Sequence, residues 1–403
     1  MTELDDEDAR YLRARLGAVA VPAGRLSADG LLALGRRTGR RRRTAATTAG
    51  ALLPVAAIVL VTGGFLPWDG NAGPGPAGTS TASPATPSPA TPTSAPVTAD
   101  CTLERLPMPS GAKTGSVLAG SPNGRHLVGS YNPPEAANLP AWWVDGRLQE
   151  IPVEADAIAR DVNDSGMVVG DGSGPDGKSA PWAYLDGKLI WLPIPPGFTD
   201  GSVNAVNARG DVVGTLGGDP DRAVVWRDIT TSPRADLLSA SKDRTHADGI
   251  SDSGVVVGGL SDRNLPYRWD ADGRGAPLPL PDGVDLGSVR GVRGNWAYGT
   301  AAKSNGVPAL GSGPPMPVLW DLEKGTATIV GDAMSMPGAG NARGQLVLQP
   351  RDDDGVLLRD PDGTLRKLPG EEGWRYGARA LDDSGTRIGG GGGARPVRWI
   401  CRE

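Results

Sequence analysis

Apolar and polar residues alternate along most of this chain in short runs, and the runs recur. Residues 161–171 read DVNDSGMVVGD, and variants of that phrase return down to the C-terminus: SPNGRHLVG, NDSGMVVG, NARGDVVG, SDSGVVVG, GVRGNWAYG, NARGQLVL and DDSGTRIG. Their turn glycines are Gly124, Gly166, Gly210, Gly254, Gly294, Gly344 and Gly385, spaced 40 to 50 residues apart. A second phrase follows each one and ends on an aromatic, often with Asp-Gly behind it: AWWVDG, WAYLDG, VVWRD, YRWDADG, VLWD, LLRDPDG and VRWIC. Its aromatic is Trp143, Tyr184, Trp226, Trp269, Trp320 or Trp399, with Leu358 standing in the sixth copy. A third phrase closes on an apolar residue and proline, as in LQEIP, LIWLP, APLPLP and LRKLP.

The second copy divides into four strands. DAIARDV (156–162) alternates as a half-buried strand does, and MVVGDG runs apolar through its centre. APWAYLD and KLIWLPI follow, joined by Asp186-Gly187, a strong hairpin signal. The proline that ends the fourth strand suits an outer edge, where it blocks further pairing. Four short antiparallel strands, called A to D here, repeated with a period of roughly 43 residues predict an all-β fold, a seven-bladed β-propeller.

Strand counting then predicts how the ring closes. Seven A-B-C sets are present, but the chain stops before a seventh D strand. Residues 102–107, TLERLP, supply one from the other end of the domain. Aligned on WVDGRLQEIP, Cys401 falls on Asp145 and Cys101 on Gly146, both in the turn between strands C and D. The seventh blade lacks that covalent turn, so a Cys101–Cys401 disulfide is expected in its place. Closing so long a loop is worth roughly 5 kcal/mol in the chain-entropy model, and it fits an oxidising, exported compartment.

What precedes the repeats sets an expected topology. Residues 44–68 (TAATTAGALLPVAAIVLVTGGFLPW) carry no charge and are long enough to cross a bilayer. Arg36, Arg37 and Arg40 to Arg43 stand just before them, and the first charge after them is Asp69. By the positive-inside rule, residues 1–43 are expected to be a short cytoplasmic segment and 44–68 a single transmembrane helix at the plasma membrane. A cleaved signal peptide ordinarily has a far shorter basic region. Residues 69–100 are rich in Pro, Thr, Ser and Ala and read as a disordered linker or O-glycosylated stalk. Residues 101–403 then form the extracellular domain. Asp5 to Leu16 places acids before arginines, as a helix dipole favours, and could contact a cytoplasmic protein partner.

Composition agrees with this organisation. Gly (60) and Pro (37) are abundant, and Trp (11) outnumbers Phe (2), as in a turn-rich β protein. The net charge of −5 hides a basic N-terminal segment and a more acidic remainder, which argues against nucleic acid as a partner.

Catalytic chemistry is hard to assemble. His126 and His246 are the only histidines and fall in different blades, His126 at the start of a strand B and His246 before a strand A. No His-based triad, cofactor motif or metal-ligand spacing stands out, although Asp352, Asp353 and Asp354 form an acidic turn. Asp164, Asp252 and Asp383 read as turn residues. The long B–C and D–A loops, 130–140, 195–202 and 300–317, share one face and offer Tyr131, Phe198 and Asn305 as candidate contacts.

These phrases resemble the HAF repeat, an extracellular repeat with an Asn-x-x-Gly turn, an apolar-apolar-Gly strand and aromatics before Asp-Gly. NDSGMVVG with APWAYLDG (163–187) fits it best, whereas Gly294 and the sixth copy depart from it. The resemblance implies an extracellular propeller and brings no catalytic residues or cofactor. The expectation is a membrane-tethered binding or sensing module for an unknown external ligand or protein. A hydrolase or lyase acting on a wall polymer, and a transmembrane signalling protein, are the alternatives.

Overall fold

The computed structural model describes residues 96–402, apart from 134–137, 154–155, 239–242, 305–313, 333–334 and 352–354. The basic N-terminal segment, the apolar stretch 44–68 and most of the linker lie outside these residues. Among the described residues no helix is long and apolar enough to cross a membrane.

Seven antiparallel sheets follow one another along the chain, each a four-stranded meander. In the second blade the strands run Ala157–Val162, Val168–Ser173, Ser179–Leu185 and Lys188–Trp191. In the third they are Asp200–Val206, Val212–Gly217, Arg222–Arg227 and Arg234–Leu237. The seventh blade is built from both ends of the domain. Strands Tyr376–Leu381, Arg387–Gly392 and Arg395–Cys401 are completed by Cys101–Arg105. The register pairs Cys101 with Cys401 and Leu103 with Trp399, and the two cysteines form the disulfide.

One strand departs from the expected edges. Val97–Thr98 pairs in parallel with Leu365–Lys367, the outer strand of the sixth blade, which becomes five-stranded. The Leu368-Pro369 pair beyond that strand does not protect it, because Val97 and Thr98 pair with residues that precede the proline. The end of the linker is therefore ordered against the ring. Its parallel direction starts it, like strand D beside it, at the face that carries the A–B and C–D turns.

The core lies between blades. Val169, Ala183 and Leu192 of the second blade pack on Val203, Leu216 and Val224 of the third, and similar clusters fill the other interfaces. Trp143, Trp226, Trp269, Trp320 and Trp399 of strand C are fully buried, and so is Leu358. The second blade differs. Tyr184 holds the register position of these tryptophans but is only half-buried, and Trp182, two residues earlier on the same side of the strand, fills the core.

The apolar-Pro phrases serve this interface. Leu106, Ile151, Leu192, Leu278 and Leu368 are buried where strand D ends. The proline carbonyl that follows then accepts the indole N–H of the next blade. Trp143 donates to Pro107 at 2.8 Å, Trp226 to Pro193 at 2.8 Å, Trp320 to Pro279 at 2.7 Å and Trp399 to Pro369 at 2.7 Å.

The A–B turns form a second set of ties. Asn207 Oδ1 accepts the amides of Arg209 and Asp211 at 3.0 and 2.9 Å, and its Nδ2 reaches the Ser251 carbonyl of the next blade at 3.2 Å. Asn163 and Asn341 repeat the pattern toward Asn207 and Asp382. The acidic turn residues do more than favour a turn. Asp252 accepts the Ala208 amide of the preceding blade at 2.8 Å, Asp164 that of Asn123 and Asp383 that of Ala342. The Asp383 amide donates to the Pro122 carbonyl at 2.7 Å, which closes this series of ties between blade seven and blade one.

Candidate ligand channel

Every strand A carries a β-bulge at the same point of its pairing with strand B. The cause is legible in strand B. In the third blade, Val203 pairs with Gly214, the glycine of the VVG phrase, and the bulge follows at once. A Cβ on Gly214 would lie 1.9 Å from the Ser202 carbonyl oxygen, and Gly129, Gly170, Gly258, Gly299 and Gly390 are equally blocked by strand A. In six blades glycine lets the two backbones close to this distance as the extra residue of strand A is pushed inward, whereas the sixth blade keeps the bulge with Leu348 paired to Pro337.

The extra residues are Leu118, Arg160, Asn204, Asp248, Arg290, Gly338 and Arg379, one per blade, and all seven line the central channel. The channel has a volume of about 170 Å³. Three of the five polar side chains have partners. Arg160 makes a two-pronged ion pair with Asp171, at 2.9 and 3.2 Å, and Asn204 donates to the Ala247 carbonyl at 2.7 Å. Asp248 lies 3.3 Å from His246 Nε2, and His246 Nδ1 lies 3.0 Å from Ser261 Oγ. Burial pulls the His246 pKa down, but the charge and hydrogen bond of Asp248 outweigh it and leave the pKa raised.

One end of the channel is crossed by a side chain. The fifth copy lacks the Asn-x-x-Gly turn; Arg293 pairs with Trp296 across a two-residue hairpin. Arg293 thus takes the place that Asn163, Asn207 and Asn341 hold elsewhere. Instead of clasping the next turn, its guanidinium donates to the Gly120 carbonyl at 3.1 Å and lies 3.8 Å from Asp161. Two other residues match this change. Asp161 stands where other blades have Ala119, Ala205, Ala339 and Ala380, and Tyr298 stands where they have Val169, Val213, Val257 and Val347. The Asp161 carboxylate also accepts the Val206 amide at 3.0 Å. Burial raises its pKa in spite of Arg293 and the amides, and burial raises that of Tyr298. These three residues sit beside the A–B turns and obstruct the lumen there.

Arg290 and Arg379 differ from the rest. Both face the channel, both are exposed to its solvent, and neither has a hydrogen bond or ion pair among the described residues. Burial first, and then the charge of Arg290, lower the pKa of Arg379.

The candidates named from sequence do not converge. Cys101 and Cys401 meet in the disulfide and have no other role. Tyr131 and Phe198 are half-buried and pack on separate cores, Tyr131 in the first blade and Phe198 between the second and third. Asn305 and the Asp352–Asp354 turn lie outside the described residues. His126 is buried, accepts the Trp142 indole N–H at 3.3 Å and stacks on that ring, with its pKa lowered by burial. His246 belongs to strand Thr245–Ile250 rather than preceding it. Among the described residues no three His, Cys, Asp or Glu side chains converge on a metal position. The channel ring itself escaped the sequence reading, although it stands at a fixed offset, six residues before the turn glycine in every blade but the fifth.

No family model matches the chain, and no curated protein does. Among solved structures, virginiamycin B lyase from Staphylococcus aureus aligns at 12% identity with a TM-score of 0.48, over 75% of this chain and 100% of that one. YCF48 bound to a D1 peptide aligns at 13% and 0.48, over 76% and 99%. A chain of the mitotic checkpoint complex aligns at 13% and 0.49, over 79% and 97%. At such identities nothing about ligands or chemistry transfers to this chain.

Proposed function

We propose that this chain is a membrane-tethered extracellular binding module, which presents the loop face of its propeller and the mouth of the central channel away from the membrane. The observation that carries this reading is the contrast between what repeats and what varies. Turn clasps, strand-B glycines and core tryptophans recur from blade to blade, because they hold the ring. The bulge position changes at almost every blade, through Leu, Arg, Asn, Asp, Arg, Gly and Arg. Local partners account for Arg160, Asn204 and Asp248 and backbone crowding for Gly338, whereas an asymmetric ligand would account for Arg290 and Arg379.

Further support comes from the chain's organisation. The uncharged stretch 44–68 follows a run of arginines, the signature of an inward N-terminus. The parallel pairing of Val97 and Thr98 with the sixth blade supports a linker that joins the ring at its turn face, which in this reading makes the loop face the distal one. Similarity of the repeats to the HAF repeat points the same way. A polymer-cleaving enzyme of the paired-carboxylate kind would need two free acids facing one substrate bond, but Asp161 and Asp248 are each engaged, by Arg293 and by His246. A signalling role would reside in residues 1–43.

Two measurements test the reading. Protease treatment of intact cells should digest the domain and spare an N-terminal tag. Thermal melting of the full chain in detergent, against wall fragments, sugars and metabolites, should reveal a ligand. A binder at a hundred times its Kd adds about 2.7 kcal/mol. A protected domain, or a flat screen together with no cross-linked partner on cells, removes the proposal.

A further inference from the structure

We infer that the channel holds a small anion with at least two charged oxygens, of the phosphate or dicarboxylate class, between Arg290 and Arg379. The inference rests on the binding-module reading and names the chemistry of its ligand.

The geometry begins with the blade between the two arginines. Arg290 belongs to the fifth blade and Arg379 to the seventh. The sixth contributes Gly338, whose bulge position carries no side chain. It cannot carry one, since a Cβ there would sit 2.0 Å from the Ala378 carbonyl oxygen and 2.8 Å from Gln349 Nε2. The sixth blade therefore places no side chain of its own bulge position between the two arginines, and both line the same channel.

The charge along the channel is unbalanced. Of the charged groups that line the channel, Arg160 is neutralised by Asp171, Arg293 by Asp161, and Asp248 faces His246. Arg290 and Arg379 remain, close enough for one charge to disfavour the other, with no carboxylate set against them. Folded proteins pair enclosed charges or leave them to a ligand. Two planar guanidinium forks that line one channel suit the oxygens of a single anion.

Size and access agree. The channel volume of about 170 Å³ resembles the cavity of about 150 Å³ that admits benzene, so a phosphate or a short dicarboxylate fits. Arg293 crosses the turn-face end, so an anion is expected to enter from the loop face. The site thus opens on the face assigned to recognition.

The test is a calorimetric titration of the full chain in detergent with inorganic phosphate and, separately, with succinate, at low and high sodium chloride. Binding of at least one is expected, and the two arms tell phosphate from carboxylate. Arg290→Gln and Arg379→Gln should each weaken it by roughly tenfold or more, the worth of a charge-assisted hydrogen bond. Arg234→Gln, on an outer strand where Arg234 pairs with Asp228 and Asp236, should leave it unchanged. Neither channel variant should lower the melting temperature without anion, because each removes a repulsion. The inference is overturned if neither anion binds, if the channel variants bind as the parent does, or if they melt lower without anion. Should the titration fail while the melting screen yields a ligand insensitive to both channel variants, the anion site falls and the binding module stands. If both fail, both fall.

Discussion

At the scale of single residues, the tryptophans of strand C do two things that can be separated. Each fills the space between blades, and among the described residues four of the indole N–H groups also reach the proline carbonyl of the blade before. Trp182 fills space alone. Its Nε1 is buried and has no acceptor among the described residues. Trp226→Phe therefore loses ring volume and leaves the Pro193 carbonyl without its donor, whereas Trp182→Phe loses ring volume and a donor that bonds nothing. Trp226→Phe is expected to cost about 1–2 kcal/mol more than Trp182→Phe, the price of an unsatisfied buried group. Urea midpoints of the two variants check this; equal losses would mean that the indole bond contributes nothing beyond packing. The sequence lets Tyr184 be aligned with the other aromatics, and its register does match. What it hides is that Trp182 takes over the packing, because which of two side chains on one side of a strand is covered depends on the neighbouring blade.

At the scale of elements, the strand A–strand B pair is the unit that makes the channel. Alternation, turn residues and the hairpin at Asp186-Gly187 are local signals, so strands and turns could be read from the chain. A bulge is a relation between two strands and leaves no alternation of its own. Ile158 and Arg160 look equivalent in DAIARDV, yet Arg160 alone is the extra residue that lines the lumen. The VVG phrase was the available clue, since a glycine in the middle of an apolar strand marks a close backbone approach. Gly214→Ala tests that origin. Its Cβ, 1.9 Å from the Ser202 oxygen, can be accommodated only if strand A moves, so a loss of at least about 3 kcal/mol is expected, within the range of backbone clashes in a core. Denaturation of the variant measures it, and hydrogen exchange should rise first in Asp200–Val206 and Val212–Gly217. A variant as stable as the parent would show that the strands can separate there without penalty, and the bulge would need another cause.

At the scale of the molecule, ring closure was legible because it follows from counting, and the plug was not. Three departures in three places, Arg293, Asp161 and Tyr298, meet only once the ring exists; in the sequence the fifth copy merely looks decayed. Closure itself rests on the strand Cys101–Arg105, which has only backbone pairing, a few side chains and one covalent bond to hold it against the last blade. Glu104 reinforces it through Arg398, at 2.7 Å, but a partly exposed ion pair of this kind adds little. Every other strand D is joined to strand C of its blade by a covalent turn. The Cys101→Ser, Cys401→Ser double variant is therefore expected to lose about 2–5 kcal/mol. The loss should be local in origin: amide exchange should accelerate in 101–105 and 395–401 before it does in the third blade, whose four strands are continuous in sequence. The same variant should still pair Val97–Thr98 with the sixth blade more weakly, since that short strand is anchored three residues from Cys101. If exchange rises evenly around the ring, opening begins elsewhere and the disulfide acts on the unfolded chain alone. If it rises only at the seam, the disulfide is what makes a chain with two loose ends behave as one closed ring.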